Sequence, residues 1–420
     1  EEEGYRWAEV SPGRLGGTGF ELRGPSRTGV TFENRLGEEA IAADRNTMNG
    51  SGVAAGDVDG DGRADLYFAG LEGPDRLYRN LGGLHFEDVT ASAGIVSEGR
   101  YSTGVVLADV DGDRDLDLLV ASLHQGVSLQ ANDGAGVFTP VADAGFGSTA
   151  HKGTTTLALA DIDQDGDLDL YVTNYRERNV NDLMEAGELT WEKTVEGEYR
   201  PGSREYALRP PFDEYYTIVE REGLVPERRE VGEPDQLFLN DGRGRFREVE
   251  EPGTRFLDAE GSPEGPGRGW GLSARFQDVN ADGLPDLWVC NDFWTPDRLW
   301  LNQGGGVFRE AAPFAIRSLS FSSMAVDFSD IDRDGSVDIL VTEMLARDHE
   351  SRLRQYVPEG PWPDIRLLSD ARPQYNRNSL YVGRGDGTWA ETSWYSGLEA
   401  SGWSWGTRFL DVDLDGYEDV

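Results

Sequence analysis

A nine-residue aspartate pattern, D-x-D-x-D-G-x-x-D, recurs along this 420-residue chain and is its strongest chemical signal. Calcium takes six to eight oxygen ligands, and alternate side chains of a tight loop can supply carboxylates from positions 1, 3 and 5. Position 7 would add a backbone carbonyl, and the Asp at position 9 would close the shell. Without a cation the loops are hard to explain, because two carboxylates about 4 Å apart repel by roughly 4 kcal/mol at an effective dielectric of about 20. The predicted calcium ligands are Asp57, Asp59, Asp61 and Asp65; Asp109, Asp111, Asp113 and Asp117; Asp161, Asp163, Asp165 and Asp169; Asp278, Asn280, Asp282 and Asp286; Asp330, Asp332, Asp334 and Asp338; and Asp411, Asp413, Asp415 and Asp419.

Two of the six loops depart from the pattern. Arg114 stands at position 6 of the second loop, where the turn glycine is expected, and Asn280 replaces one carboxylate of the fourth. Solvated acidic turns are the alternative explanation, but six copies in register make it the weaker one. Magnesium is disfavoured because it demands octahedral geometry and keeps its waters, and an EF-hand would need Glu at position 12, where this chain has Phe or Val. We expect about six Ca²⁺ sites, with occupancy of the Arg114 loop left open.

The sequence around the loops predicts the strands that position them. Three of the five intervals between first aspartates are 52 residues, and the other two, 117 and 81, equal one period plus an insertion. A Gly-rich or alternating apolar stretch precedes each loop, and a short β-branched or aromatic run follows it. A second element recurs at 74–80, 234–240 and 296–302 and leads through a Gly-rich turn into another strand. Each unit therefore predicts four strands, A to D, with the aspartate loop between A and B, which is typical of all-β β-propeller blades.

These residues resemble a known family. The loop exits, such as Asp-Leu-Tyr at 65–67, and the third strand Leu-Tyr-Arg-Asn at 77–80 resemble FG-GAP/VCBS repeats, the blade type of integrin α-subunit propellers. Within them, NGSGVAAGD at 49–57, FEDVTA at 86–91 and WSW at 403–405 resemble the CRTAC1-like group of secreted proteins, which usually carry an ASPIC/UnbV domain. The resemblance implies calcium-binding A–B turns and seven blades in the full protein. Five complete blades and part of another are present here.

The pattern also suggests domain boundaries. We expect residues 1–28 to be an N-terminal extension and 29–420 to be a C-terminally truncated propeller that ends before any ASPIC/UnbV segment, with insertions at 174–233 and 343–377. Residues 29–35 look like a D strand without its blade. Such a strand would complete the final blade, close the ring and so remove exposed strand edges.

Composition narrows the classes of partner. The formal net charge is −39, from 78 acidic and 39 basic residues, which disfavours nucleic acid because a phosphate backbone is bound through basic patches. Cys290 is the only cysteine, so no intrachain disulfide is possible. No run approaches about 18 apolar residues, so no membrane span is predicted. Together with the resemblance, this favours a secreted, extracellular or cell-envelope protein.

The predicted topology indicates a ligand-binding face. Because antiparallel strands alternate in direction, A–B and C–D turns share one face of a propeller, and B–C and D–A connections share the other. Both insertions are B–C connections and so lie opposite calcium, and long loops in compact domains are more often functional than idle. Aromatic and Arg side chains are common interface anchors, although they would equally pack the insertions onto the propeller. The candidate ligand-binding residues are Tyr175, Arg176, Asn291, Asp292, Trp294 and His349.

No catalytic residues are predicted. The four histidines lie in different units and lack the spacing of metal ligands. No nucleophile elbow, zincin or Walker motif occurs with the flanking strand or helix that it would need. The sequence thus predicts a calcium-binding propeller that acts as an adhesion or ligand-binding module, with a protein or carbohydrate partner. The alternative is a propeller enzyme acting on polysaccharide, as a lyase or glycosidase, since a carboxylate dyad remains open among the many acidic pairs.

Overall fold

Five sheets, numbered 1 to 5 along the chain, dominate the computed structural model, which describes residues 20–197, 206–220, 225–355 and 372–420. Each has four antiparallel strands, and sheet 4 has a fifth strand at its edge. In each sheet the strands follow the order A-B-C-D. Their bounds are Val53–Gly56, Asp65–Phe68, Arg76–Gly82 and His85–Asp88 in sheet 1; Tyr101–Ala108, Asp117–Leu123, Gly126–Asn132 and Phe138–Pro140 in sheet 2; Thr154–Ala160, Asp169–Asn174, Gln236–Asn240 and Phe246–Glu248 in sheet 3; Gly271–Gln277, Asp286–Asn291, Arg298–Asn302 and Phe308–Glu310 in sheet 4; and Ala325–Ser329, Asp338–Thr342, Ser379–Gly383 and Trp389–Glu391 in sheet 5.

Smaller elements fill the connections. Phe256–Leu257 adds a parallel strand to sheet 4, Leu319–Ser320 pairs with Gln374–Tyr375, and the B–C connection of sheet 3 holds two hairpins, Val195–Gly197 with Tyr206–Leu208 and Tyr216–Val219 with Glu227–Glu230. The α-helices are Pro25–Thr28, Glu38–Ala43, Val180–Leu183, Trp191–Thr194, His349–Gln355 and Ser393–Ser396, and the 3₁₀ turns are Arg45–Asn49, Gly147–Thr149, Ala186–Glu188, Phe212–Glu214 and Pro252–Thr254. Within the described ranges, no helix has the length and apolar character needed to cross a membrane.

The hydrophobic core lies between neighbouring sheets. Tyr67 and Leu77 of sheet 1 pack against Leu118 and Val120 of sheet 2, and equivalent clusters join sheets 2 and 3, 3 and 4, and 4 and 5. Sheets 2, 3 and 4 are therefore packed on both faces by neighbouring sheets, which explains why their B strands carry uninterrupted apolar runs, at 118–121, 170–172 and 287–290, rather than alternating.

The A strands of successive sheets lie side by side around a cavity of about 1150 Å³. Thr103 Oγ1 donates to the Thr154 carbonyl (2.7 Å), and Thr155 Oγ1 donates to the Gly271 carbonyl (2.9 Å), so side-chain hydrogen bonds connect strands A of sheets 2, 3 and 4. The predicted all-β fold of four-stranded antiparallel units is confirmed, and the arrangement fits a β-propeller.

The segment after the first helix is not a strand. Residues 29–37 form no backbone ladder, and the final sheet that a D strand at 29–35 would complete is not formed among the described residues, so that pairing stays a prediction. Thr31 N donates to the Tyr78 hydroxyl (3.2 Å), the Phe32 ring stacks on Phe68 with centroids 5.0 Å apart, and Leu71 N donates to Asn34 Oδ1 (3.1 Å). The segment packs on sheet 1 through side-chain contacts, which do not require the backbone ladder of a strand.

Candidate functional site

Each aspartate loop is shaped by hydrogen bonds from its own backbone. In the first loop Asp57 Oδ1 accepts from Asp61 N (3.0 Å), Asp57 Oδ2 accepts from Gly62 N (2.8 Å), and Asp61 Oδ1 accepts from Arg63 N (3.0 Å). The same three bonds recur in the loops that begin at Asp161, Asp278, Asp330 and Asp411. The carboxylates of positions 1 and 5 are therefore held in one orientation five times over.

Two positions of every loop adopt the left-handed backbone region. Position 6 has φ of 84–97° at its five glycines and 77° at Arg114. Position 4 is also left-handed in all six loops, with φ of 73° and 82° at Gly60 and Gly112 but about 61° at residues such as Ala281 and Leu414. The sequence indicates this conformation at position 6 only, because the residue type at position 4 varies. Arg114 N still donates to Asp109 Oδ2 (3.0 Å), but Asp109 Oδ1 accepts from Gly112 N (2.8 Å) rather than from position 5, so the second loop keeps only part of the pattern of the others.

Replacing Arg114 by glycine tests that loop. We expect Arg114→Gly to tighten calcium binding at the second loop, because it removes a positive charge beside four aspartates and a left-handed conformation that costs a non-glycine residue roughly 1 kcal/mol. Titration calorimetry should show one site becoming stronger. Gln164→Gly in the third loop is the matched control, since it relieves a similar backbone conformation without changing charge. Unchanged affinity in Arg114→Gly would contradict the expectation.

The aspartate at position 9 connects each loop to its sheet. Asp169 Oδ1 accepts from Asn240 N of strand C (2.9 Å), and Asp117 and Asp286 accept in the same way from Asn132 and Asn302. Burial raises the pKa of Asp117 to about 6 and of Asp169 and Asp286 to about 7, against the lowering effect of these backbone bonds. Burial also raises the pKa of Asp65 and Asp338. A cation at the loops would favour the charged form.

The loops bring carboxylates close enough to hold a metal ion. In five of them, three carboxylate oxygens from different residues lie within 4.8 Å of one another: Asp57, Asp59 and Asp61; Asp109, Asp111 and Asp117; Asp161, Asp163 and Asp165; Asp330, Asp332 and Asp338; and Asp411, Asp413 and Asp419. The fourth loop has the Asn280 amide in place of a carboxylate. Asp163 Oδ1 is buried and has no hydrogen-bond partner within the described residues. An all-oxygen donor set with an unpartnered oxygen fits a hard cation.

Two loops carry a further carboxylate at position 7 that sequence analysis left out. Asp115 lies in the second loop and Asp167 in the third. Burial, followed by repulsion from Asp113, raises the pKa of Asp115 to about 6, and its Oδ1 has no hydrogen-bond partner in the part of the chain that the structure describes. The first loop is different, because Arg79 of strand C bonds Asp59 and Arg63 bonds Asp61. The six loops are therefore not electrostatically equivalent.

The asparagine at the end of strand C links three of the loops to the sheet that follows. Asn132 Nδ2 of sheet 2 donates to the Val58 carbonyl in the first loop (2.9 Å), Asn240 Nδ2 of sheet 3 donates to Val110 (2.9 Å), and Asn302 Nδ2 of sheet 4 donates to Ile162 (2.9 Å). Each amide also reaches a carbonyl of its own loop (3.2 Å). The repeated Leu-x-x-Asn ending was visible in the sequence, but its partners in the preceding unit were not.

Removing one of these amides should destabilise the fold. We expect Asn302→Ala to lower the free energy of unfolding by about 1–3 kcal/mol, because it leaves two carbonyls without partners. Asn80→Ala is the matched control: Asn80 Nδ2 donates only to Ala64 of its own loop, and the side chain is more exposed. Denaturant titration of both variants is the measurement. Equal losses would show that the bond to the preceding loop contributes nothing.

Four of the predicted ligand-binding residues are buried at the other end of the sheets. Tyr175 donates its hydroxyl to Asp292 Oδ2 (2.9 Å), and Asn291 Nδ2 donates to the Pro296 carbonyl (2.9 Å). Arg176 stacks over the Tyr215 ring at 4.4 Å and donates from Nη2 to the Glu214 carbonyl (2.8 Å). These bonds hold the B–C connections of sheets 3 and 4 together.

The remaining two are more accessible. Trp294 is partly exposed, with Nε1 donating to the Glu230 carbonyl (2.9 Å), and His349 is exposed at the start of its helix. Trp294 and Tyr175 line a cavity of about 590 Å³, which we call the aromatic pocket, with Trp270, Phe293 and Phe321. Arg176, Asn291, Asp292 and His349 are not among the residues that line it. Sequence analysis missed Trp270 and Phe321, which only the fold brings to this place.

Comparison with known proteins identifies the repeats. The FG-GAP-like repeat model matches residues 57–120, 109–172, 278–341 and 362–420, which is more than half of the chain. Cartilage acidic protein 1 of Mus musculus is 29% identical over 185 residues, 43% of this chain and 28% of that protein, and the Homo sapiens protein is 27% identical over the same length. This chain thus spans about a quarter of the length of these relatives.

A solved structure of an Agrocybe aegerita lectin, described as recognising non-reducing terminal N-acetylglucosamine, covers 80% of this chain at 15% identity with a TM-score of 0.34. The family match agrees with the geometry, since three of its four segments run from one aspartate loop to strand B of a following loop. The chain belongs to the FG-GAP-like repeat family.

Proposed function

We propose that this chain is a calcium-stabilised, extracellular β-propeller module that binds a ligand through the face opposite its aspartate loops. We call that face, formed by the B–C and D–A connections, the insertion face. Ca²⁺ would occupy about six loops, and the ring would contain seven blades in the full protein. The proposal is supported above all by one observation: the carboxylate clusters lie at one end of the sheets, and the aromatic pocket lies at the opposite end.

The chemistry of the two ends supports separate roles. Loop carboxylates bonded to their own backbone and to strand C are suited to stabilise the fold, because a bound cation would cross-link the A–B turn to the sheet. The aromatic pocket lies among long connections, where binding residues commonly stand on a rigid scaffold. Similarity to cartilage acidic protein 1 and the resemblance to integrin-type repeats favour an extracellular setting and a binding role over catalysis.

Variants on the two faces test the proposal. Purified extracellular proteins and glycans would be immobilised and exposed to the protein in calcium, with Phe293→Arg altering the insertion face and Arg243→Glu altering an exposed C–D turn on the aspartate-loop face. We expect Phe293→Arg to abolish binding to at least one immobilised ligand and Arg243→Glu to retain it. Loss of binding only in Arg243→Glu, or no binding to any member of the panel, would overturn the proposal.

A further inference from the structure

We infer that the aromatic pocket binds an uncharged sugar residue of a glycan. This inference rests on the proposed function, because it names the ligand class of the insertion face. The pocket volume of about 590 Å³ lies within the range of about 300–1,000 Å³ that is usual for small-ligand sites. It suits one or two sugar units, whereas a protein partner would need a broad surface patch.

The pocket offers aromatic faces in a fixed arrangement. Trp270 is buried, with its ring centroid 4.8 Å from that of Tyr175 and 5.3 Å from that of Phe293. Phe293 itself is 44% exposed, and its left-handed backbone (φ 55°) is held by the bond from its N–H to Asp292 Oδ1 (2.7 Å). A bulky residue adopts this conformation only where surrounding structure enforces it. The exposed Phe293 ring can therefore serve as a platform for the apolar C–H face of a pyranose.

Amide groups surround these rings. Asn46, Asn49, Asn179 and Asn181 line the same pocket. Side-chain amides present a donor and an acceptor together, which matches adjacent sugar hydroxyls that can do both. Asn46 accepts from Asn179 Nδ2 (3.1 Å) and donates from Nδ2 to the Arg176 carbonyl (2.8 Å), so both ends of its amide are bonded and it serves to fix the orientation of Asn179.

Unpartnered polar atoms point to a ligand independently of the rings. Trp270 Nε1, Asn179 Oδ1 and Arg229 Nε belong to lining residues, are buried, and have no hydrogen-bond partner within the described residues. A buried polar atom without a partner costs about 1–3 kcal/mol, and most such atoms are satisfied in native proteins. These atoms are two hydrogen-bond donors and one acceptor, and a sugar hydroxyl can bond to either kind of atom.

The charges at the pocket favour an uncharged ligand. Arg45 is paired with Asp182 (3.3 Å) and Arg229 with Glu227 (2.9 Å), so both guanidinium groups already have carboxylate partners. Glu230 accepts from Val180 N (2.8 Å), and burial raises its pKa. No free cation among the described lining residues is left for a carboxylated or sulfated sugar, and the net charge of −39 repels anions.

Binding of defined glycans tests the inference. An array of neutral and anionic glycans, including free mono- and disaccharides as competitors, would be probed with the protein in calcium. We expect binding to neutral glycans that Phe293→Gly weakens by about tenfold or more, the size of a typical anchor residue. Glycine suits the left-handed backbone at this position, which offsets part of the packing that is lost with the ring, and the melting temperature of the variant is measured in parallel to show that it folds. Trp294→Ala is the second variant, and Tyr395→Ala, which removes a 95% exposed aromatic ring outside the pocket, is the control that should bind normally.

The outcomes separate this inference from the proposed function. Retained neutral-glycan binding in both Phe293→Gly and Trp294→Ala would show that the pocket is not the site. Stronger binding of anionic glycans, or no glycan binding at millimolar concentrations, would overturn the inference. If a protein ligand bound instead and Phe293→Gly abolished that binding, the sugar assignment would fail while the insertion face would remain the binding face.

Discussion

Removal of calcium with EGTA is expected to lower the melting temperature of this protein by about 10 °C or more. A bound ligand stabilises the native state by RT ln(1 + [L]/Kd), or about 1.4–2.7 kcal/mol per site at 10 to 100 times Kd. Summed over several loops, this approaches the whole stability of an ordinary domain, about 5–15 kcal/mol. Since Cys290 is the only cysteine, no intrachain disulfide offsets the loss. Scanning calorimetry in calcium and in EGTA measures the difference.

A variant in a single loop measures how much of the EGTA effect comes from one site. Asp163→Ala removes one carboxylate of the third cluster and should cost a fraction of the loss caused by EGTA, because five loops keep their ligands. In a calcium titration of this variant, one site should bind calcium much more weakly than in the unaltered protein. Magnesium at the same concentration is the ion control and should stabilise less. If EGTA leaves the melting temperature unchanged, the loops do not stabilise the fold through calcium.

The metal-free protein is expected to lose more stability than the calcium-loaded protein as the pH rises from about 5 to 8. Burial raises the folded-state pKa of Asp169 and Asp286 to about 7, and of Glu343 in the B–C connection of sheet 5 to about 8. A raised folded-state pKa gives stability that is present below the unfolded value and is lost as the pH passes the folded value. Calcium requires the ionised form at the loops and so opposes this loss.

Melting temperatures measured across that range, with EGTA and with calcium, test the sign. Asp169→Asn should flatten the slope in EGTA, because it removes one titrating group while keeping the size of the side chain. Tyr395→Ala should leave the slope unchanged. Stability that rises with pH in EGTA would contradict the burial of these carboxylates.

The local and periodic parts of this molecule follow from its sequence. Aspartates at alternate positions, a glycine at position 6 and β-branched exits predicted a loop between two strands, and the 52-residue period predicted four strands per unit. All five complete units have them. These features depend on neighbouring residues, so their information is local.

The remaining features depend on distant contacts or on geometry that tolerates many residue types. Asn240 donates to the carbonyl of Val110, which is 130 residues away in the sequence, and neither residue type predicts this pairing. Position 4 of the loops is left-handed at Gln164 and Leu414 because loop closure enforces it, against the preference of those residues. The aromatic pocket joins the 3₁₀ turn at Arg45–Asn49 to Trp270 and Phe293, and residues 29–35 pack on sheet 1 because Phe68 and Tyr78 lie there to receive them.

The hydrogen bonds between sheets made by the asparagines at the end of strand C all run in one direction, from one sheet to the loop of the sheet before it. Asn132, Asn240 and Asn302 each reach back to the loop of the preceding sheet, so whatever orders one loop also steadies its junction with the next sheet. If the loops bind calcium, these amides would couple the first loops in series, so that binding at one loop would favour binding at the next. Sheet 5 has Gly383 at the corresponding position, which has no side chain to reach back. This side-chain bond is therefore missing between sheets 4 and 5, whose junction is formed by the hydrophobic cluster that includes Trp288 and Tyr381, so coupling between neighbouring metal sites would stop at the fourth loop.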